Sequence, residues 1–124
     1  MSISTALVAK ITGYAAFNTA AGSRLYPDTI PQTPTLPSVS FFRVDTPRVA
    51  SHDGDDTLVH PRYQFDIYAG TYLETETVAA ALRGALAASG SAVRVVNEFD
   101  DPGEVNDMGR YRRVVDAIVW SNEA

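Results

Sequence analysis

Apolar side chains at the start of the chain follow a helical spacing, which then gives way to a short extended segment. Residues 3–15 place their apolar side chains on one face, and this pattern predicts an amphipathic helix. The positions of that face are Ile3, Leu7, Ile11 and Tyr14. Residues 24–26 are few and are stopped by Pro27, so they are predicted to form a brief edge strand.

The next part of the chain contains an extended loop and a strand. Residues 27–37 include Pro27, Pro31, Pro34 and Pro37. Each proline fixes φ and lacks an amide donor, so this segment is predicted to be an extended loop. Residues 38–44 alternate but carry large apolar groups on both faces, a pattern typical of a central strand.

A polar stretch separates that strand from the following one. Residues 47–61 are mostly polar and are predicted to form an exposed loop that contributes nothing to the core. Residues 62–68 alternate strictly, which predicts a half-buried strand. Its predicted inward positions are Tyr63, Phe65 and Ile67, and its outward positions are Arg62, Gln64 and Asp66.

The second half of the chain predicts a capped helix followed by a hairpin. Thr71-Tyr72-Leu73-Glu74 matches the capping box, in which the threonine hydroxyl and the glutamate carboxylate satisfy free amides at the helix start. Apolar residues then recur at helical spacing, and Gly90 is a suitable stop. Residues 93–99 and 111–120 are strand candidates joined by a polar connection, which predicts an antiparallel hairpin.

The resulting order α-β-β-β-α-β-β indicates an α+β fold. We expect a mostly antiparallel sheet of four to five strands packed with two helices. The 124 residues match the usual size of one domain, and no repeat or linker divides them. We therefore expect a single domain over residues 1–124.

Composition excludes several classes of site. The chain has no cysteine, so disulfides, thiolate metal sites and cysteine nucleophiles are excluded. The net charge is −5, and an acidic domain is poorly suited to gripping nucleic acid, because that affinity comes mainly from cations on phosphates. No apolar run approaches the ~18–20 residues that cross a bilayer, and the N-terminus lacks a secretion signal. We expect no membrane association and no export.

A compact set of metal-type ligands lies in the polar loop, at His52, Asp53, Asp55 and Asp56. A calcium loop places its oxygen ligands at defined positions over about twelve residues and ends in glutamate. Here Gly54 comes too early and no glutamate closes the loop. We therefore predict no metal site, and interpret the segment as a solvated loop or as one ordered by a partner.

The sequence offers little for catalysis. His60 is a general base in principle, yet no nucleophile motif of the Gly-x-Ser-x-Gly type accompanies it. Gly-rich phosphate-binding and dinucleotide-binding loops are also absent from the sequence. We predict a structural role for His60, and no enzymatic activity or cofactor.

Two residues of the last strand raise separate expectations. Asp116 lies within an apolar strand, so it is expected to pair with an arginine or to lie on the outer face, because burying a lone carboxylate is costly. Trp120, the single tryptophan, is predicted to anchor the core or an interface.

Acidic and basic residues segregate along the predicted hairpin. The acids are Glu98, Asp100, Asp101, Glu104 and Asp107, and the arginines that follow are Arg110, Arg112 and Arg113. One interpretation is that the acids are solvated beside strand arginines that face water. The other is that the acids of one subunit meet the arginines of its neighbour, since complementary patches drive head-to-tail rings.

The order of these segments resembles one known family. The matching pieces, after the N-terminal helix, are Arg24-Leu25-Tyr26-Pro27, Leu36-Pro37-Ser38-Val39-Ser40-Phe41, Tyr63-Gln64-Phe65-Asp66-Ile67-Tyr68-Ala69 with the Thr71-capped helix, and Gly109-Arg110-Tyr111-Arg112-Arg113-Val114-Val115-Asp116. Together they resemble the tail-completion, or tail-terminator, family of long-tailed bacteriophages, which also occurs in gene transfer agents. The likeness covers residues 2–121, although the acidic loops 51–56 and 98–107 match no motif of the family.

The resemblance implies a ring, commonly of six subunits, that caps the tail tube and stops its polymerisation. Its implied partners are copies of itself, the tail tube protein and a head-completion or connector protein. DNA would pass through the lumen without specific binding. The implied location is the tail–head junction of a virion or phage-like particle, assembled in the host cytoplasm, and the family has neither enzymatic activity nor a cofactor.

Within that frame we predict a subunit or partner interface formed by charged residues of both acidic loops and the last strand. Its predicted members are His52, Asp53, Asp55, Asp56, Asp100, Asp101, Glu104, Arg110, Arg112 and Arg113. Two alternatives remain open. The chain could be another neck component, such as a head-completion adaptor, or a small α+β enzyme or ligand-binding module that uses His52, His60 and nearby carboxylates.

Overall fold

The computed structural model describes residues 3–30, 35–46, 58–88, 93–101 and 111–122. The helices there are α1 (Ile3–Thr12), α2 (Ala15–Ala21) and α3 (Tyr72–Ala88). The strands are β1 (Leu25–Pro27), β2 (Ser38–Asp45), β3 (Leu58–Val59), β4 (Arg62–Ala69), β5 (Val93–Asp100), β6 (Tyr111–Val119) and β7 (Ser121–Asn122). No described helix has both the length and the apolar character that crossing a bilayer requires. The predicted helix stop at Gly90 lies outside the described residues.

A five-stranded mixed sheet forms the centre of the fold, in the order β1-β2-β4-β6-β5. β1 runs parallel to β2, and every other neighbouring pair in this sheet is antiparallel. All five strands predicted from the sequence take part in it, and the predicted edge position of the first and the predicted final hairpin are confirmed. The α+β class is therefore confirmed.

The helices cover one face of this sheet, and the core lies between the two layers. The predicted inward residues Tyr63, Phe65 and Ile67 of β4 are fully buried there. The Tyr63 hydroxyl shares a hydrogen bond of 2.7 Å with Ser4 of α1 and accepts another from Arg43 of β2. α1 is thus fixed to the sheet by a polar contact as well as by apolar packing.

The predicted N-terminal helix is confirmed as α1, but the expectation of two helices is wrong, because the chain breaks after Thr12 and forms α2 as an additional short helix. The Gly13 amide still bonds to Ala9, but Tyr14 is extended, with φ −87° and ψ 119°. A Cβ at position 13 would lie 2.9 Å from the Ala9 carbonyl oxygen, so only glycine fits this close approach. The turn lets Phe17 of α2 enter the same core as Leu7.

The prediction that residues 47–61 contribute no core is wrong for Val59, which is fully buried. β3 pairs antiparallel with β7, with Val59 opposite Ser121, and the two strands form a small second sheet. The prediction failed because it used the average composition of the segment, which is polar although Val59 itself is apolar. Residues 47–57 lie outside the described residues.

The start of α3 follows the predicted capping chemistry. The Glu74 amide donates to the Thr71 hydroxyl at 3.2 Å, which confirms the first half of the capping box. The Glu74 carboxylate accepts a hydrogen bond of 3.2 Å from that same hydroxyl. Thr71 therefore fixes where the longest helix begins, and so fixes the position of Tyr72 and Leu73 beside it.

Candidate interface surfaces

Arg113 of β6 is the centre of a charged network on the helix-covered side of the hairpin. Its guanidinium donates to Asp100 at 2.8 Å and to Glu98 at 3.0 Å, both on the neighbouring strand β5. It also donates to the Tyr72 hydroxyl at 2.9 Å and lies over the Tyr72 ring. Arg83 of α3 donates to Glu98. The network therefore ties α3 to both strands of the hairpin.

The network shifts the pKa values of Asp100 and Tyr72 in opposite directions. The Tyr72 hydroxyl donates to Asp100 at 2.8 Å and lowers the pKa of that carboxyl, and Arg113 adds to the same effect. The hydrogen bond to Asp100 in turn raises the pKa of Tyr72. Both shifts favour the protonation states present at neutral pH, namely a charged carboxylate and a neutral phenol.

A second set of ion pairs lies on the opposite face of the sheet. Arg112 contacts Asp66 at 3.2 Å and Asp101 at 2.6 Å, and Gln64 donates to Asp66 at 2.9 Å. Arg62 contacts Asp116 at 2.7 Å, and the Asp116 side chain is only 3% exposed. The expected pairing of Asp116 with an arginine is confirmed.

The described members of the predicted interface pair with each other inside one subunit. Asp100 and Asp101 contact Arg113 and Arg112 respectively, across neighbouring strands of one hairpin. This geometry agrees with the interpretation of acids beside strand arginines, while a role in contacts between subunits stays a prediction. The other predicted members lie outside the described residues, and they are His52, Asp53, Asp55, Asp56, Glu104 and Arg110.

A β-bulge in β5 reverses the faces of its second half. Val95 lies opposite Ala117, but the next register pair is Asn97 with Asp116, so Val96 is an inserted residue. Beyond the bulge, Glu98 and Asp100 lie on the helix-covered side with Arg113. Phe99 consequently lies opposite Val114 on the other face and is 47% exposed. One inserted residue thus brings Glu98 and Asp100 into contact with Arg113. It also exposes the ring of Phe99 to solvent.

The surface between α2 and α3 forms an apolar groove of about 770 Å³. Leu73, which is 70% exposed, stands at one end, and Glu74 is the charged residue of the lining. Small residues form most of the rest, among them Ala16, Thr19, Thr77 and Ala80. The two helices approach closely because Tyr14 lies against Gly84, where a Cβ would come within 2.9 Å of the tyrosine hydroxyl oxygen.

The rings of His60 and Trp120 stack at a centroid distance of 4.4 Å beside the small sheet. Trp120 is 45% exposed, so the option that it anchors the core is wrong, and the option of an interface stays a prediction. β6 ends at Val119 and β7 begins at Ser121, so the tryptophan lies between the two strands and outside both. The stack gives His60 a structural contact.

The described part of the chain holds no group of three or more histidine, aspartate or glutamate side chains that could bind a metal ion. The carboxylates of the Arg113 network and of the ion pairs on the opposite face are each in contact with an arginine, at the distances given above. Such an arrangement stabilises strands and surfaces and offers no activated nucleophile.

Charge and motif arguments missed the groove and the exposed Phe99. A signal for the groove does exist in the sequence, since residues 13–23 contain no charged side chain, although a fifth of the whole chain is charged. Depletion of charge is the composition of interface centres. The exposure of Phe99 has no comparable signal, because it depends on the register of β5 against β6.

Comparison with known proteins gives one finding and one negative result. The family model described as tail completion protein gp17 matches residues 5–120. That range runs from α1 to Trp120, and so it includes the whole five-stranded sheet, the groove between α2 and α3, and the exposed Phe99. No curated protein matches the chain significantly.

Proposed function

Because the chain belongs to the tail completion protein gp17 family, we propose that it is a tail terminator, a ring-forming subunit that closes the end of a tail tube. A structural role in completing a bacteriophage tail, as part of the virion, follows from membership of the family. The observation that carries the finer proposal is the extent of the match, residues 5–120, which leaves little of the chain for another activity.

In this proposal six copies form the ring. One face of the ring binds the last layer of tube protein and stops further addition, and the other face binds a head-completion or connector protein. The ring thus lies at the tail–head junction of a phage or of a related gene transfer agent. A closed ring needs contacts between unlike surfaces of neighbouring copies, and such contacts close when their rotation divides the circle.

The charge of the chain supports passage of DNA through such a ring. Each copy has a net charge of −5, so a ring of six copies carries an excess of acid. Among the described arginines of the hairpin, Arg112 and Arg113 of β6 are held by acids of the same subunit. A lumen without free cations lets DNA slide, because binding to phosphates requires cations that replace counterions.

We also propose that the chain has no enzymatic activity and no cofactor. The paired carboxylates and the His60–Trp120 stack support this, since each of these groups has a structural partner. The alternative of a small ligand-binding or enzymatic module predicts that the histidines are needed. A structural role predicts the opposite, namely that the double variant His52→Ala/His60→Ala assembles and functions as the wild type does.

Deletion of the gene from a producing phage or prophage tests the proposed function, with tail length in electron micrographs as the readout. A missing terminator gives tails of irregular and excessive length, because nothing stops addition of tube protein. Normal-length tails detached from heads would contradict the terminator proposal and favour a head-completion adaptor. Complementation by the wild-type gene and by the double histidine variant should restore uniform, attached tails equally.

A further inference from the structure

We infer that the exposed part of β5 in one copy packs into the α2–α3 groove of the next copy, as the head-to-tail contact of the proposed ring. Here the exposed part of β5 means Arg94, Val96 and Phe99, and the α2–α3 groove is the one between Leu73 and Ala81 on α3 and Ala16 to Ala20 on α2. The inference rests on the proposed function and names the surfaces that the ring uses.

The bulge in β5 is the first reason. Without the inserted Val96, strand alternation would place Phe99 on the same face as Val95, which packs against the core. The bulge instead leaves both Val96 and Phe99 more than two-fifths exposed at the edge of the sheet. A bulge also bends an edge strand away from backbone pairing with other chains. The edge therefore offers side chains rather than hydrogen-bonding backbone groups to a partner.

Charge is the second reason. Each other described arginine donates a hydrogen bond to an acid, a hydroxyl or a carbonyl, whereas Arg94 has no such contact within the described residues. Arg94 is exposed on the same strand as Phe99, and both pair with residues of the same face of β6. The charged residue that lines the groove is Glu74. A strand with apolar groups and a cation thus complements a groove with apolar groups and an anion.

The dimensions of the two surfaces agree. Val96 and Phe99 are three residues apart, which corresponds to about 10 Å along a strand. Leu73 and Ala81 are eight residues apart, which corresponds to about 12 Å along a helix. The groove volume of about 770 Å³ is large enough for an aromatic side chain together with an aliphatic one.

The two surfaces lie on different sides of one subunit. Phe99 lies on the sheet face away from the helices, while the groove opens on the outer side of the helix layer, where Ala16, Leu73 and Thr77 are exposed. A subunit therefore cannot fill its own groove with its own Phe99. Each copy keeps one unfilled groove and one exposed strand until the ring closes, so the contact is heterologous and self-propagating.

Cross-linking in the cysteine-free chain tests the inference. The single variants Leu73→Cys and Phe99→Cys, distinguished by a mass tag, are mixed, oxidised gently and separated by mass. We expect mixed 73–99 dimers to exceed both like-with-like dimers several-fold. The matched control mixes Leu73→Cys with Val44→Cys, because Val44 is exposed to nearly the same extent as Phe99 but lies on β2. Circular dichroism checks that all three variants fold.

Native mass spectrometry of the wild-type chain at rising concentration, alone and with tail tubes, separates the two possible failures. Rings without a preference for the 73–99 link over the 44–73 link would overturn the inference and leave the proposed function standing. Like-with-like links as abundant as mixed ones would overturn it too, because they indicate a symmetric pair. A chain that forms no ring under either condition would overturn both the inference and the proposed function.

Discussion

The two faces of the five-stranded sheet are built on different physical principles. The helix-covered face is closed by apolar packing around residues such as Phe65, which is fully buried. The opposite face is closed by arginine–carboxylate pairs such as Arg112 with Asp66. In apolar packing, a substitution lowers the free energy of unfolding in proportion to the cavity that it leaves. In an ion pair, the loss depends on whether the partner that remains is a buried charge. Strand positions that look alike in the sequence therefore respond differently to substitution, depending on which face of the sheet they occupy.

The largest expected effect is at the centre of the helix-covered face. Phe65→Ala should lower the free energy of unfolding by about 3–5 kcal/mol, because it leaves a cavity in a close-packed core. The measurement is urea unfolding followed by circular dichroism. A loss below about 1 kcal/mol would mean that this face is loosely packed, and the contrast between the faces would disappear.

On the opposite face the effect should depend on which member of the pair is removed. Arg112→Ala leaves the buried Asp66 with Gln64 as a donor and should cost about 2–3 kcal/mol. Asp66→Asn removes the buried charge, leaves Arg112 with Asp101, and should cost only about 1 kcal/mol. Urea unfolding of both variants gives the comparison. Equal losses would contradict the role assigned to burial of the carboxylate.

Phe99 offers a direct contrast with Phe65, since the same residue type lies on the other face of the sheet. Phe99→Thr retains strand propensity and removes a half-exposed ring, so it should change stability by less than about 1 kcal/mol. The same variant should nevertheless impair ring formation, as seen by native mass spectrometry. A loss of stability as large as that of Phe65→Ala would show that the Phe99 side chain is buried in solution and that the bulge does not expose it.

The smallest effect concerns pH. The pKa of Asp100 is lowered below its ordinary value of 3.8, so its stabilising contribution is present above that pH and is lost as the pH falls through the folded-state pKa. The pKa of Tyr72 is raised above 10.0, so its contribution is present below that value and is lost as the pH rises further. Both side chains are more than two-fifths exposed, and screening by solvent makes the effect small.

Asp100→Asn isolates the acidic arm of that prediction. The difference in unfolding midpoint between wild type and variant should be present at neutral pH and should shrink towards zero in acid, where the wild-type carboxyl is also neutral. Urea midpoints over a pH series provide the data. A difference that is constant with pH would contradict a contribution from the ionised carboxylate.

The sequence predicted those features that depend on one element or on an unavoidable cost. The strict alternation of β4 specifies its buried residues, and Thr71 with Glu74 specifies the start of α3. The pairing of Asp116 was predictable because a lone buried carboxylate is too costly to retain. Each of these inferences needs knowledge of only a few neighbouring residues.

The remaining features depend on how elements meet in space. The bulge at Val96 is decided by the register of β5 against β6, and its advantage, two acids on Arg113, comes from the neighbouring strand and not from β5 itself. The helix break at Gly13 depends on a close approach to the Ala9 carbonyl oxygen. The α2–α3 groove exists only after both helices have packed. None of these follows from the hydrophobic pattern of a single segment.

High-resolution electron microscopy of the tail end of the intact particle is the most direct test of the central claim. We expect a closed ring of this chain on the last layer of the tail tube, with Phe99 of each copy in the α2–α3 groove of its neighbour. A particle in which the chain is absent from the end of the tube, or is present only as separate copies, would contradict it.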